Sequence, residues 1–206
     1  MPLPTPSSFL LLHGWENERP PGHWQRWLAT ELTVRGHDVR YPQLPDPHEP
    51  DPESWRATIR ADLSTLTEGP VTVLAHSLGT VAWLALQAGD APVEVDRVAL
   101  VGPPALGLVA QEPAMHAFAP ESRIGPAGHG PLRLGARSEA VVVAGDDDPW
   151  LPLGVVDTWR PLVDVPLHVV PGGGHLTPES GYGEWPAVLA WALGATGGEA
   201  FGEAVA

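Results

Sequence analysis

The sequence predicts a three-layer α/β/α sandwich built on a mostly parallel sheet of about six strands. Short apolar runs alternate with longer segments of helical periodicity along most of the chain, and this order is typical of parallel sheets with helices on both faces. The chain has 206 residues, which is enough for one sizeable core and few for two. We therefore expect one domain over residues 1–194 and a flexible tail over residues 195–206.

The predicted elements follow one another in a regular order. Strands are expected from apolar runs bounded by turn-forming residues, and they lie at residues 9–12, 37–41, 71–74, 97–101, 140–144 and 167–170. Helices are expected where apolar positions recur at helical spacing, near residues 23–35, 53–66, 78–88, 153–161 and 178–193. The glycine- and proline-rich segment 102–138 interrupts the alternation. We expect it to form a minimal cap over an open, shallow pocket.

A second proline-rich segment, residues 41–52, leaves the second predicted strand. The pattern indicates an ordered loop before the next helix, because proline restricts the backbone and suits the first turn of a helix. This loop borders the carboxyl edge of the sheet, so two roles remain open. It lines a pocket there, or it is a purely structural connection.

The pentapeptide Ala75-His76-Ser77-Leu78-Gly79 lies between a predicted strand and a predicted helix. A serine at such a turn, with small residues two places to either side, is typical of a nucleophile elbow. The turn directs the backbone N–H of Leu78 and the start of the helix towards the space above Ser77, which favours negative charge there. Taken alone, the pattern also fits a serine that caps a helix.

An acidic cluster and a histidine further along the chain favour a nucleophilic role for Ser77 over a capping role. The acidic cluster Asp146–Asp148 follows the predicted strand at residues 140–144, and His175 follows the one at residues 167–170. Both therefore lie at the carboxyl edge of the sheet, with Ser77, where open α/β sheets bind their ligands. A serine nucleophile needs a base to accept its proton and an acid to orient that base. The order serine, acid, histidine is that of hydrolases built on a parallel sheet.

Taken together, these motifs resemble those of the α/β-hydrolases. In detail the chain is similar to the small serine hydrolases of the family that includes retinoblastoma-binding protein 9 and its bacterial relatives. The matching pieces span residues 9 to 186, and they are His13-Gly14-Trp15, His76-Ser77-Leu78-Gly79, Asp147-Asp148-Pro149-Trp150, Gly174-His175-Leu176 and Gly181-Tyr182-Gly183-Glu184-Trp185-Pro186. One departure is Ala75, where the elbow pattern has glycine. Segment 103–138 matches poorly and inherits no role from the family.

The resemblance implies a compact α/β-hydrolase fold and a role for five residues. Ser77 is expected to be the nucleophile, His175 the general base and Asp148 the orienting acid. The backbone N–H groups of Trp15 and Leu78 are expected to form the oxyanion hole, because the loop after the first strand supplies the second donor in this fold.

The choice among the three consecutive aspartates rests on spacing. Asp148 lies three residues after Gly145 and four before Pro152, as the acid does in the Gly-x-x-Asp-x-x-x-Pro pattern of related hydrolases. Asp146 and Asp147 are interpreted as solvated loop residues, and Asp147 remains an alternative for the acid.

Several aromatic residues are candidates for lining the pocket. Trp15 and Trp150 flank the first loop and the acid loop, and His76 adjoins the nucleophile. We expect His76 and His13 to hold the loops rather than to act as the base. The other tryptophans fall on predicted helices and are expected in the core: Trp24, Trp27, Trp55, Trp83, Trp159, Trp185 and Trp191.

Composition excludes several kinds of chemistry. The chain has no cysteine, so disulfides and thiol catalysis are excluded. It also has no lysine, which excludes a Schiff base and a P-loop. No His-x-x-x-His pair offers a metal site. We therefore expect neither a metal nor another cofactor.

The net charge of −14 argues against nucleic acid and anionic membranes as partners. No apolar stretch is long enough to span a bilayer, and the run at residues 9–12 predicts a core strand rather than a signal peptide. We expect a cytoplasmic protein that acts on a small-molecule acyl substrate, and the oligomeric state is left open. Arg19 is a single candidate contact for an anionic group.

The function predicted from the sequence is hydrolysis of a small ester or related acyl compound through an acyl-enzyme. An acyl-transfer enzyme, a thioesterase or a cyclising enzyme of a biosynthetic pathway uses the same triad and remains an alternative. A second alternative is a protein-interaction module with little turnover, because a fold does not fix a function. Such a module should expose a large apolar patch.

Overall fold

The computed structural model describes residues 6–119 and 131–205 of the chain. Its strands are β1 Ser8–Leu12, β2 Asp38–Arg40, β3 Val71–His76, β4 Val95–Val101, β5 Ala136–Gly145 and β6 Leu167–Val170. They form one sheet in the order β2-β1-β3-β4-β5-β6, in which every neighbouring pair is parallel. The predicted fold class is confirmed.

Helices connect the strands. They are α1 Trp24–Val34, α2 Pro52–Thr65, α3 Leu78–Gln87, α4 Leu106–Gln111, α5 Gly154–Trp159, α6 Pro186–Ala192 and α7 Gly197–Phe201, with short 3₁₀ helices at His116–Phe118 and Pro178–Ser180. Among the helices that the structure describes, none has the length and apolar character that a membrane crossing requires.

Alternating side chains of the strands form two cores, one on each face of the sheet. In β1, Leu10 and Leu12 pack with the α2, α3 and α5 helices, whereas Phe9 and Leu11 pack with α1 and α6. This division follows from the period of two in a strand, which sends successive side chains to opposite faces. Five of the seven tryptophans predicted in the core are fully buried, namely Trp24, Trp55, Trp83, Trp159 and Trp191.

The helix predicted over residues 178–193 is wrong in its first half. A 3₁₀ helix covers Pro178–Ser180, and Gly181 ends it with a φ of 89°. The α-helix begins only at Pro186, where proline suits the first helical turn. The prediction ran through this break because helical periodicity is insensitive to a single residue in the left-handed conformation.

Residues 195–206, which the sequence predicted as a flexible tail, include the short helix α7. Thr196 and Glu199 form a capping box at its start, which satisfies two backbone N–H groups that would otherwise lack acceptors. Val205 forms an antiparallel bridge with Leu167 at the edge of the sheet. The Thr-Gly-Gly-Glu sequence carried this capping signal, which the prediction of a tail overlooked.

The segment expected to form a minimal cap is described only in part. Residues 106–118 form α4 and the 3₁₀ helix at His116–Phe118, and Met115 from this stretch lines the pocket described below. Residues 120–130 lie outside the described part of the chain.

Candidate active site

Ser77 lies on the tight turn between β3 and α3, as the elbow pattern predicted. Its backbone has φ 52° and ψ −126°, a sparsely populated conformation for a residue with a side chain, which persists only where the surroundings impose it. A Cβ on Gly79 would lie 2.6 Å from the carbonyl oxygen of His13, and one on Gly14 would lie 2.7 Å from the Cβ of Ser77. Close packing of β1 against the elbow therefore requires glycine at both places.

His175 follows β6 and meets Ser77 from the other side. Its Nε2 lies 2.9 Å from the Oγ of Ser77, and its Nδ1 lies 2.9 Å and 3.0 Å from the two carboxylate oxygens of Asp148. A carboxylate only accepts hydrogen bonds, so Nδ1 carries the proton that it receives. Nε2 is then unprotonated and can accept the hydroxyl proton of Ser77.

Asp148 is the member of the acidic cluster that reaches the ring of His175. Its side chain is fully buried, and its Oδ1 also accepts a hydrogen bond from the backbone N–H of Trp150 at 2.8 Å. This second hydrogen bond holds the carboxylate in the orientation in which it faces Nδ1 of His175. Asp147, the alternative acid, makes no contact with the ring in the described structure.

Asp146 and Asp147 have a role that the sequence interpretation missed. Both are exposed, as predicted for loop residues. However, Asp147 accepts a hydrogen bond from the N–H of Gly174 at 2.6 Å, and Asp146 accepts one from Gly172 at 2.7 Å. The cluster therefore binds the loop that precedes His175 at two points in addition to the ring itself.

The two predicted oxyanion donors belong to segments that meet at Ser77, since Leu78 follows it in the chain and Gly14, next to Trp15, packs against its side chain. Within the described residues, neither the N–H of Trp15 nor that of Leu78 donates to a protein acceptor, whereas the next amide, Glu16 N–H, donates to Pro47 at 2.9 Å. Both donors are thus available for a ligand oxygen.

His13 holds the loop after β1, as the sequence interpretation expected. Its Nδ1 donates to the carbonyl of Gly14 at 2.8 Å, and its Nε2 accepts from the N–H of Leu44 at 2.8 Å. Burial lowers the pKa of His13 to about 4, which keeps the ring neutral. Leu44 belongs to the proline-rich loop, and His48 of the same loop lines the pocket. That loop therefore lines the pocket, the first of the two roles that the sequence left open, and it also contacts His13.

His76 is buried against His175, with ring centroids 5.1 Å apart. It is 2% exposed, and its Nε2 donates to the backbone carbonyl of His175 at 2.9 Å. Burial is the main reason that its pKa lies well below the ordinary value. Its ring contributes to the pocket wall, as predicted, and it positions the segment that carries His175.

A pocket of about 500 Å³ opens above Ser77. Trp15 and Trp150 form part of its wall and contact each other edge to face, with ring centroids 6.3 Å apart. Both therefore line the pocket, as the sequence predicted. Arg19, the candidate contact for an anion, does not line it, because its guanidinium donates to Tyr41 O and Gln43 Oε1.

Other wall residues carried no recognisable signal in the sequence. His23 caps α1 by accepting from the N–H of Gln25 at 3.2 Å, and it also lines the pocket. Three carboxylates complete the rim, contributed by Glu16, Glu18 and Glu179. Glu16 and Glu18 come from the loop after β1 and Glu179 from the 3₁₀ helix after β6, so only the fold brings them together. In the described residues, no group of three His, Cys, Asp or Glu side chains is arranged to hold a metal ion.

The fold and the elbow define the class of this protein as an α/β hydrolase. A family model described as serine hydrolase matches residues 9–192. The chain therefore belongs to the serine hydrolase family.

Individual relatives support this assignment. YdeN of Bacillus subtilis (strain 168), a hydrolase by name, is 27% identical over 179 residues that cover 86% of this chain and 90% of YdeN. The crystal structure of that gene product has a TM-score of 0.68 at 25% identity, and it covers 91% of this chain and 97% of YdeN. A YdeN-like protein from Pectobacterium atrosepticum shares the fold, with a TM-score of 0.66 at 24% identity over 91% of this chain and 89% of the other.

Proposed function

We propose that this serine hydrolase cleaves small carboxylic esters through an acyl-enzyme formed on Ser77. The observation that carries the proposal is the unbroken chain of hydrogen bonds from Ser77 through His175 to Asp148, with heavy-atom distances of 2.9 Å at each step. These distances lie within the range that direct proton transfer requires. The nucleophile faces a pocket rather than bulk protein.

In the first half of the reaction, the Oγ of Ser77 attacks the ester carbonyl carbon. The hydroxyl proton moves to Nε2 of His175, and the resulting imidazolium is stabilised by the buried carboxylate of Asp148. The bond between the carbonyl carbon and the alcohol oxygen then breaks. The departing alcohol takes the proton from Nε2, and the acyl group remains on Ser77.

In the second half, water attacks the acyl carbon and gives one proton to Nε2 of His175. The bond from the acyl carbon to Oγ breaks, and Oγ recovers the proton from Nε2. The products are a carboxylic acid and the free enzyme, so the histidine ends in its starting state. His175 therefore acts as base and acid in turn in each half.

Both halves pass through a tetrahedral intermediate with negative charge on the former carbonyl oxygen. The N–H groups of Trp15 and Leu78 are the donors proposed for this oxygen, since both lack protein acceptors in the described structure. Ser77 immediately precedes α3, so the positive end of the helix dipole also faces the charge. Removing one such donor typically costs about 10²- to 10³-fold in turnover.

Pocket size supports a short substrate. A volume of about 500 Å³ falls in the lower half of the range for small-molecule sites. Trp15 and Trp150 offer apolar surface beside the nucleophile, where a short acyl chain or an aromatic alcohol can pack.

The interaction module, one of the two alternatives, receives little support from the surface. The exposed large apolar side chains of the described residues are Val34, Leu153 and Leu193, and no tryptophan is among them. Acyl transfer and thioester cleavage use the same residues, so product analysis has to separate them from ester hydrolysis.

Reaction with a fluorophosphonate probe and hydrolysis of p-nitrophenyl acetate test the proposal. We expect both in the unmodified protein, and we expect Ser77→Ala to abolish labelling and to lower turnover about 10⁴- to 10⁶-fold. Ser64→Ala is the matched control, since this exposed serine in α2 only donates to its own helix. Full esterase activity in Ser77→Ala, with an unchanged circular dichroism spectrum, would disprove the assignment.

A further inference from the structure

Negative charge is distributed unevenly around the pocket above Ser77. Glu16 and Glu18 come from the loop after β1, and Glu179 comes from the 3₁₀ helix after β6. The carboxylates of two segments that are far apart in the chain therefore line the same pocket. Neither lysine nor arginine is among the described residues that line it.

The neighbouring side chains leave most of this charge uncompensated. His48 lies 3.8 Å from Glu16 and 3.4 Å from Glu18, and it is the sole basic side chain beside them among the described residues. Arg19 is engaged with Tyr41 and Gln43 instead. A hydrogen bond from the side chain of Thr177 lowers the pKa of Glu179, so this group is ionised at neutral pH.

Two further features of the same pocket indicate a ligand. Trp15 and Trp150 are half-buried in its wall, and the faces of indole rings attract cations. His23 is 3% exposed, and its Nδ1 accepts from Gln25, so the proton of the neutral ring lies on Nε2. That buried donor has no acceptor in the described residues. Buried donors are normally paired, so this atom is a polar group in a residue of the pocket wall that the described protein groups leave unsatisfied.

We infer that the substrates of this enzyme carry a positively charged ammonium group near the ester. This inference rests on the proposed ester hydrolysis and names its substrate class. The ammonium group would be held at the rim by Glu16, Glu18 and Glu179, with the tryptophan rings beside it. The ester carbonyl would lie over Ser77, and the reaction at the carbonyl is the hydrolysis already described.

The expected preference follows from the exposure of the carboxylates. Side-chain exposures of 56% for Glu16 and 74% for Glu18 mean that water screens each of them substantially. Three such charges focused on one opening should still favour a cation by about tenfold in kcat/KM over a neutral ester of the same shape at low salt. Most of this preference should disappear at 0.5 M NaCl, because the screening length then falls to a few ångströms.

Matched pairs of esters test the inference. Acetylcholine is compared with 3,3-dimethylbutyl acetate, which replaces the charged nitrogen by carbon. A betaine ester of a simple alcohol is compared with the corresponding 3,3-dimethylbutyrate ester, so that the charge is placed on the acyl side. The ratio of kcat/KM within each pair is measured at low salt and at 0.5 M NaCl.

The double variant Glu16→Gln/Glu179→Gln removes one carboxylate from each of the two segments. We expect it to reduce the ratio from about tenfold to about two- or threefold. The matched control is Glu68→Gln/Glu94→Gln, which removes the same charge next to the amino ends of β3 and β4, at the opposite edge of the sheet. This control should keep the original ratio.

Three outcomes are decisive. A cation preference in either pair that falls with salt and in the pocket variant, but not in the control, supports the inference. A ratio near one in both pairs, with neutral esters hydrolysed, overturns the inference and leaves the proposed ester hydrolysis intact. Failure of every ester, together with failure of the fluorophosphonate to label Ser77, overturns the proposed function and this inference with it.

Discussion

The two loops that complete the site are held in place by opposite electrostatic means. In the β6–α6 loop, residues 171–185, the carboxylates of Asp146, Asp147 and Asp148 accept hydrogen bonds from Gly172, Gly174 and His175. In the β1–α1 loop, residues 13–23, the neutral ring of His13 bridges the carbonyl of Gly14 and the N–H of Leu44. Ionised carboxylates therefore hold the β6–α6 loop, and an uncharged histidine ring holds the β1–α1 loop.

This difference matches what each loop is proposed to do. The β6–α6 loop carries the group that becomes an imidazolium, so nearby carboxylates stabilise the charged state. The β1–α1 loop presents a backbone donor to an oxyanion, and a neutral support there brings no competing charge into the wall. The comparison predicts that variants of the two loops fail in different ways.

The largest effect is expected from Asp148→Asn. An asparagine amide can donate to Nδ1 of His175, which would move the ring proton to Nε2 and leave the serine without a base. We expect turnover of p-nitrophenyl acetate to fall about 10⁴-fold with little change in KM. Asp146→Asn is the matched control, because it retains a carbonyl acceptor for Gly172 and should lose no more than a few-fold.

A smaller loss is expected when the β1–α1 loop is displaced by Gly14→Ala. The added Cβ would lie 2.7 Å from the Cβ and 3.1 Å from the Oγ of Ser77, so the loop must shift away from the elbow. Loss of the Trp15 donor should lower kcat about 10²- to 10³-fold. Gly107→Ala, where a Cβ meets nothing within 4 Å, should keep normal kcat. Normal turnover in Gly14→Ala would show that Trp15 N–H is not needed.

Much of this site was predictable because its chemistry is encoded in short local motifs. The elbow around Ser77 and the Gly-x-x-Asp-x-x-x-Pro spacing of Asp148 each fix a residue at a strand end, and the parallel sheet brings strand ends together. The strand positions were also predictable from local sequence, since each strand is a distinct apolar run. The juxtaposition of Ser77, His175 and Asp148 therefore needed no knowledge of tertiary packing beyond the fold class.

The features of the site that the sequence did not predict depend on contacts between segments that are distant in the chain. Nothing near Asp147 in the sequence shows that its oxygen meets Gly174, and nothing near His23 shows that it lines the same pocket as Glu179. These contacts are fixed only when the loops fold over the sheet edge. The break at Gly181 was missed for a different reason, because helical periodicity is insensitive to a single left-handed residue.

A pH-dependent effect on stability is expected from the buried histidines. Burial lowers the pKa values of His13 and His23 to about 4, and that of His76 well below the ordinary 6.5. The unfolded chain therefore binds more protons than the folded one between about pH 6.5 and pH 4, so stability is lost as the pH falls through this window. Each histidine should contribute up to about 1.4 kcal/mol per pH unit.

Urea denaturation between pH 4.5 and pH 7.5 measures this slope, and His13→Gln isolates the share of one loop. The variant removes a titrating group, so its free energy of unfolding should fall less steeply with decreasing pH, by up to about 1.4 kcal/mol per pH unit. The exposed Ser64 in α2 provides the control, because Ser64→Ala removes no titrating group and should leave the slope unchanged. An equal slope in His13→Gln and the unmodified protein would contradict a neutral His13 in the folded state.

The smallest effect is expected at Asp147, which is not among the described residues that line the pocket and is hydrogen-bonded to Gly174 rather than to the ring of His175. Asp147→Asn keeps an oxygen acceptor for the N–H of Gly174 but removes the charge, and we expect kcat to fall about threefold. Asp147→Ala removes the acceptor, and the loss of one hydrogen bond of about 1 kcal/mol should lower kcat about fivefold. In both variants KM and the melting temperature should stay close to normal, and Asp90→Asn, at an exposed position, serves as the control.

The rate of fluorophosphonate labelling separates two roles of Asp147. If Asp147 only stabilises the fold, its variants should lower the melting temperature and leave the labelling rate unchanged. If it positions His175, its variants should slow labelling in proportion to kcat. Turnover in Asp147→Ala equal to that of the control would mean that Asp146 and Asp148 hold the β6–α6 loop by themselves.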